Sequence, residues 1–146
     1  MLTKKLYTAE AVSTGDGRNG HIATSDGRID LGLAMPPALG GSGDGANPEQ
    51  LFASGYAACF HSALRLVARQ TGADVTDSTV TARVSIGNEG EDALGLAVEL
   101  IFDLPHVAPG AAEQLAEAAH QVCPYSRATR GNISVELHSV ASKPYV

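Results

Sequence analysis

Tryptophan is absent from this 146-residue chain, aromatic residues make up 5%, and no lysine- or arginine-rich run occurs. Few aromatics leave little for base stacking. Ten basic against 16 acidic residues, a net charge of -6, offer nucleic acid or an anionic membrane little attraction. No stretch approaches the roughly 20 apolar residues of a membrane span. The opening Met1-Leu2-Thr3-Lys4-Lys5-Leu6-Tyr7 lacks the apolar core of a signal peptide. A cytoplasmic protein is expected, with no nucleic-acid or membrane partner. The length fits one domain over residues 1–146.

Cysteine is scarce too, with two in the chain. Cys59 and Cys123 are not in Cys-x-x-Cys spacing, which excludes a thioredoxin motif and a zinc knuckle. In a reducing compartment a cysteine pair is more often a transient catalytic or sensing disulfide than a structural staple. Cys59 lies in the run Gly55-Tyr-Ala-Ala-Cys-Phe60, and Cys123 precedes a proline in Val122-Cys-Pro-Tyr-Ser126. If the fold joins them, they form a two-cysteine redox couple. If it keeps them apart, they are small buried hydrophobes.

What the chain has in quantity is glycine, at 16 residues. Glycine-rich turns at 14–20 and 25–27 separate β-compatible stretches at 5–13, 21–24 and 28–33, which read as an antiparallel meander. The loop over 35–46 has no periodicity. Its Gly40-Gly-Ser-Gly-Asp-Gly45 lacks the Gly-Lys-Ser/Thr ending of a phosphate-binding loop, and we read it as a flexible loop able to shape or gate the site. A helix then starts on Asn47 as cap, Pro48 at the first position, Glu49 at the positive end and Gln50 completing a capping box. Phe52, Tyr56, Cys59, Ala63 and Leu66 form its apolar stripe, and Gly72 stops it. Its small residues predict a buried central helix, which Gly55 weakens or bends. A hairpin of strands at 78–86 and 94–104 follows, then a helix from Pro109-Gly110 to about Val122, then a strand at 133–140. The order of elements predicts an α+β fold.

The thiolate is the nucleophile, so nearby charge decides which cysteine attacks. Cys123 falls at a predicted helix C-terminus, where the dipole disfavours a thiolate. Cys59 is mid-helix among apolar neighbours, where burial raises its pKa, so it needs a cation from elsewhere. Of the seven arginines, Arg65 points away, roughly 240° around the helix. Arg18 sits in a glycine-rich turn, and a carboxylate such as Glu49 would orient its guanidinium. Taken alone, Arg18 reads as a solvated surface charge and Glu49 as a helix-dipole residue. Glu49 precedes Cys59 by ten residues, about 15 Å of helix rise. Either the helix breaks near Gly55, or Glu49 serves a neighbouring subunit's cysteine. His61 near Cys59, or His120 with Cys123, could be drawn as metal ligands, but neither set reaches four.

Five segments together resemble the organic hydroperoxide resistance (Ohr) branch of the OsmC superfamily. They are Gly17-Arg-Asn-Gly20, Ala46-Asn-Pro-Glu-Gln-Leu-Phe-Ala53, Gly55-Tyr-Ala-Ala-Cys-Phe60, Val122-Cys-Pro-Tyr-Ser126 and Arg130-Gly-Asn-Ile133. The likeness implies an OsmC/Ohr-like fold, with antiparallel sheets around a long buried central helix, in an intertwined homodimer with sites at the subunit interface. It implies an antioxidant enzyme of the oxidative-stress response, a thiol peroxidase without metal, haem or flavin. Cys59 matches the peroxide-attacking residue, Cys123 the resolving one, and Arg18 and Glu49 the activating pair. Organic hydroperoxides, including those of fatty acids, are the implied substrates. Dihydrolipoamide on a lipoylated protein is the implied reductant. Phe52, Tyr56 and Phe60 are the candidate apolar lining, although aromatics on such a helix are more often core. A thiol redox sensor, switching a partner through the same disulfide, is the alternative.

Overall fold

The computed structural model describes residues 1–140. The chain divides into two compact units, residues 1–51 and the part from Phe52 onward. The first is a meander of β1 (Ala11–Thr14), β2 (His21–Thr24) and β3 (Asp30–Gly32), antiparallel throughout. Gly17–Asn19 makes a 3-10 turn between β1 and β2. A side chain at Gly20 would collide with the Thr14 carbonyl, so that turn requires glycine. β1 is shorter than the expected 5–13 because its partner runs out. Ala11 pairs with Thr24, where β2 ends, and Ser25 N–H donates once more to Glu10 O before the chain turns.

The glycine-rich loop is ordered by its own backbone. Ala34 N–H donates to Ala46 O and Ala46 N–H to Gly32 O, and a Cβ on Gly45 would lie 2.8 Å from Ala34 N. The next helix, α1 (Pro48–Thr71), starts as its punctuation predicts. Gln50 N–H donates to Asn47 Oδ1 at 2.9 Å, and Asn47 N–H donates to Gln50 Oε1 at 3.1 Å. Replacing Asn47 with Ala should cost about 1 kcal/mol in a urea unfolding titration, and Asn47→Asp much less. Equal losses for both would remove the cap from its role.

α1 runs for 24 residues without a break at Gly55. That glycine instead admits a neighbour, since a Cβ there would lie 2.8 Å from the Tyr125 hydroxyl. By length and composition α1 is long and apolar enough to cross a membrane, contrary to the sequence expectation. One face of it is nevertheless built into a hydrophobic core. The buried stripe is Tyr56, Phe60, Ala63, Leu64, Val67 and Ala68. This is turned from the expected one, leaving Cys59 half-buried and Leu66 exposed. The helix is therefore buried along a stripe rather than all round. Gly72, at φ 72°, ends it.

β4 (Thr79–Glu89) and β5 (Ala93–Asp103) form the expected hairpin, in register from Thr79↔Asp103 to Glu89↔Ala93. α2 (Pro109–Val122) and a short α3 (Pro124–Thr129) lead to β6 (Ser134–Ser139). β6 lies parallel to β5, so this sheet is mixed, not antiparallel as expected. The physical reason is the connection: a helical crossover returns the chain to the starting end of β5, which a tight hairpin cannot do. Val98, Leu100 and Phe102 of β5, together with Leu115, Ala116 and Ala119 of α2, share one core with the α1 stripe. Phe60→Ala in that core should cost about 3–5 kcal/mol, read as a fall in the urea midpoint. A loss under 1 kcal/mol would contradict its burial.

Candidate functional site

Two pairs of the expected residues are brought together, each within one compact unit. In the second unit the Cys59 and Cys123 sulfurs are 3.6 Å apart, both as free thiols, with Cys123 S–H directed at Cys59. Cys123 is fully buried and Cys59 half-buried. A disulfide needs about 2.05 Å between sulfurs, so closure asks for a small movement rather than a refolding. Burial pushes the Cys59 thiol above its ordinary 9.0, the backbone N–H of Tyr125 opposes this by donating to the sulfur, and Cys123 adds to the rise.

The setting of Cys123 differs from the sequence reading. It ends α2, where its N–H donates to Ala119 O, and it also precedes α3, where its carbonyl accepts from Arg127 N–H. The negative end of one helix and the positive end of the next meet there, so the one-helix dipole argument against Cys123 does not hold.

In the first unit Arg18 and Glu49 form a bidentate pair. Arg18 Nη1 donates to Glu49 Oε2 at 2.9 Å and Nη2 to Oε1 at 2.8 Å. The Arg18 hydrogen bond holds the Glu49 carboxyl below its ordinary 4.5, against a smaller opposing effect of burial. Arg18 stands above its own ordinary value through the same bond. The guanidinium is locked in plane while 37% of the side chain stays exposed. A folded-state carboxyl pKa below the unfolded value stabilises the protein above the unfolded value, and that contribution is lost as pH falls through the folded one. The pair should therefore persist below pH 4.5, which an NMR titration of the Glu49 carboxyl carbon would show by its midpoint.

The three aromatic candidates are placed differently from one another. Phe52 is half-buried, whereas Tyr56 and Phe60 are sealed in the core. Phe52, Tyr56 and Tyr125 form a ring cluster with centroids 5.5–6.1 Å apart. The histidines weighed as metal ligands are engaged elsewhere, His61 Nε2 with Ser78 Oγ at 2.9 Å and His120 Nδ1 with Ser126 Oγ at 2.8 Å. Among the described residues a convergent group of possible ligands is Glu99, Glu136 and His138, which contains neither cysteine.

Sequence reasoning missed Tyr125 and Ser126 as parts of this neighbourhood, and weighed His120 beside Cys123 only as a metal ligand. Tyr125 and Ser126 do follow Cys123 within one quoted motif. Nothing in periodicity or charge marks His120.

A half-exposed thiol facing a buried one, in an α+β framework, is an arrangement that two-cysteine redox chemistry can use. A family model described as OsmC-like protein matches residues 41–138, and the chain belongs to that family. It is 47% identical over 136 residues to an organic hydroperoxide resistance protein of Xanthomonas axonopodis pv. citri, covering 92% of this chain and 94% of the other. Among solved structures it is similar to an organic hydroperoxide resistance protein from Elizabethkingia anophelis, at 49% identity and TM-score 0.88, covering 94% of this chain and 98% of that one. It is also similar to OhrB of Bacillus subtilis, at 41% identity and TM-score 0.84, covering 92% and 99%. The fold is the α+β OsmC/Ohr fold.

Proposed function

We propose that this protein is a cofactor-free thiol peroxidase that reduces organic hydroperoxides, including fatty-acid-like ones, to alcohols. The observation that carries the reading is the reduced Cys59–Cys123 pair, with sulfurs 3.6 Å apart and the two thiols unequally buried. The names of its relatives support a role in peroxide detoxification.

In the proposed cycle the Cys59 thiolate attacks the terminal peroxide oxygen. The O–O bond breaks, the alkoxide leaves and takes a proton to become the alcohol, and Cys59 becomes a sulfenic acid. The Cys123 sulfur then attacks the Cys59 sulfur, and the sulfenic oxygen departs as water. The resulting disulfide protects Cys59 from further oxidation. A dithiol, dihydrolipoamide on a lipoylated protein in our reading, restores both thiols by exchange and leaves as its own disulfide. Phe52 offers apolar surface to the substrate, whereas Tyr56 and Phe60 have no exposed surface and belong to the core.

The Arg18–Glu49 pair supplies the positive charge that the raised Cys59 thiol needs. α1 is unbroken between Glu49 and Cys59, so in this proposal the pair serves the cysteine of a second copy in a homodimer. Support comes from the first unit, which leaves Leu2, Leu6, Tyr7 and Val12 exposed, an apolar surface that a second chain can cover. Residues 1–146 act as one OsmC/Ohr-like domain, and the protein works in the cytoplasm.

Stopped-flow turnover with an organic hydroperoxide and dihydrolipoamide tests the reading. Rapid consumption over many turnovers is expected. Oxidation that stops at one equivalent per chain would replace the enzyme with a redox sensor. Zinc bound to the purified protein would favour a metal module.

A further inference from the structure

Cys123 sits between two helices, and a buried set of hydroxyls spans that junction. α3 has six residues, too few to hold its own direction. His120 lies one turn before Cys123 on α2, and Ser126 lies three residues after it on α3. The His120 Nδ1···Ser126 Oγ contact of 2.8 Å spans the junction with Cys123 between its ends. Ser126 Oγ also meets the Tyr56 hydroxyl at 2.8 Å, and Tyr56 reaches Thr129 Oγ1 at 3.1 Å. Tyr56 is on α1, three residues before Cys59. The chain of contacts therefore runs from the helix carrying one cysteine to both helices flanking the other.

Tyr56 and Ser126 have no exposed surface, so water does not compete for these bonds. Each of the two hydroxyls has two partners, so removing either one takes a bond from both of its neighbours. The Arg130 guanidinium adds a brace by donating to the His120 carbonyl. The set also suits either proton state of the imidazole. With Nδ1 bare, Tyr56 O–H donates to Ser126 and Ser126 O–H donates to His120. With Nδ1 protonated, both donations reverse and Tyr56 donates to Thr129, which donates onward to the Tyr125 carbonyl.

We propose that the Tyr56–Ser126–His120 hydrogen-bond chain positions Cys123 for ring closure onto Cys59, making Ser126 and Tyr56 positioning residues for the disulfide-forming step and not for attack on the oxidant. The inference rests on the two-cysteine reading, but its geometry does not depend on a peroxide being the oxidant. From 3.6 Å the sulfurs close by about 1.5 Å to bond. A misplacement of about 1 Å can cost on the order of a hundredfold in rate for such pre-aligned steps.

The test uses a small aryl disulfide on the full-length reduced protein, followed by stopped-flow release of the coloured aryl thiolate. Cys59 first exchanges with the reagent, releasing one thiolate and forming a mixed disulfide. Cys123 then attacks the Cys59 sulfur, forming the internal disulfide and releasing the second thiolate. Ser126→Ala and Tyr56→Phe should leave the first phase within about twofold and slow the second by about tenfold or more. Val98→Ala, a core change on β5, should lower the melting temperature and leave the second phase unchanged. In hydroperoxide the same two hydroxyl variants should accumulate Cys59 sulfinic acid by mass spectrometry. A second phase as fast as wild type in both hydroxyl variants overturns the positioning role, as does an equal slowing in Val98→Ala. Two normal phases with no hydroperoxide consumption in the wild type would instead reject the peroxidase reading and leave the positioning role intact.

Discussion

Cys59→Ser should abolish hydroperoxide consumption, with a loss on the order of a thousandfold or more, as removal of a nucleophile commonly produces. Cys123→Ser should behave differently. Its Cys59 is still present, so the first equivalent of alcohol should form at a rate close to wild type. The sulfenic acid then has no partner 3.6 Å away and proceeds to sulfinic acid under excess peroxide. Single-turnover alcohol release, with intact-mass analysis of the product, separates the two variants. A Cys59→Ser protein that keeps turning over, or a Cys123→Ser protein that shows no first equivalent, would reverse or dissolve the assignment. The asymmetry has a structural basis, because Cys59 is half-buried and Cys123 has no exposed surface to offer an oxidant.

Arg18→Ala should lower the rate constant for the first oxidation at pH 7 by ten- to a thousandfold. The range follows from the fall of one to three pKa units that a cation close to a thiolate produces. Without that charge, burial and Cys123 hold the Cys59 thiol above its ordinary value, so the thiol form dominates at pH 7. The pH profile is therefore the informative measurement. The loss in Arg18→Ala should shrink as pH rises toward the thiol's own titration, because hydroxide then does what the guanidinium no longer does. Glu49→Gln should have a smaller effect, about tenfold, since it frees the guanidinium from its bidentate hold without removing it. A loss in Arg18→Ala that stays constant across pH would separate Arg18 from the thiolate and leave it a structural role. Mixing chains that carry Arg18→Ala with chains that carry Cys59→Ser adds a second readout. Restored activity in the mixed dimers supports sharing of the site between copies, and no restoration argues against it.

Legibility varied with how local each feature is. The cap of α1 was readable because Asn47 and Gln50 bond to each other across three residues. The bounds of α2 were readable because Pro109 opens a periodic run that closes at Val122. The order β1 to β3 was readable because each turn carries its own glycine. α3 was missed because six residues are too few to show a period. Missing it left Cys123 at the end of one helix without the second helix that starts there. The face of α1 was turned because Cys59, Phe60, Leu64 and Leu66 are all apolar, and only contact with β5 and α2 selects Phe60 and Leu64 for burial. Motif resemblance made Cys59, Cys123, Arg18 and Glu49 visible together, although charge and spacing alone left Arg18 and Glu49 as ordinary surface groups.

The chain by itself determined α1 and α2, its turns and the residue types able to do thiol chemistry, because these depend on near neighbours in sequence, and its motifs showed its family. The tertiary structure decided that β6 runs parallel to β5, that α1 is unbroken at Gly55, and that two sulfurs 64 residues apart stand 3.6 Å from each other. It also decided that Tyr56 reaches Ser126 across 70 residues. Alternation and helical period state which face of an element is apolar, but not which partner will cover it or in which direction that partner runs. Those choices are made when the faces are buried together and their polar groups must find one another.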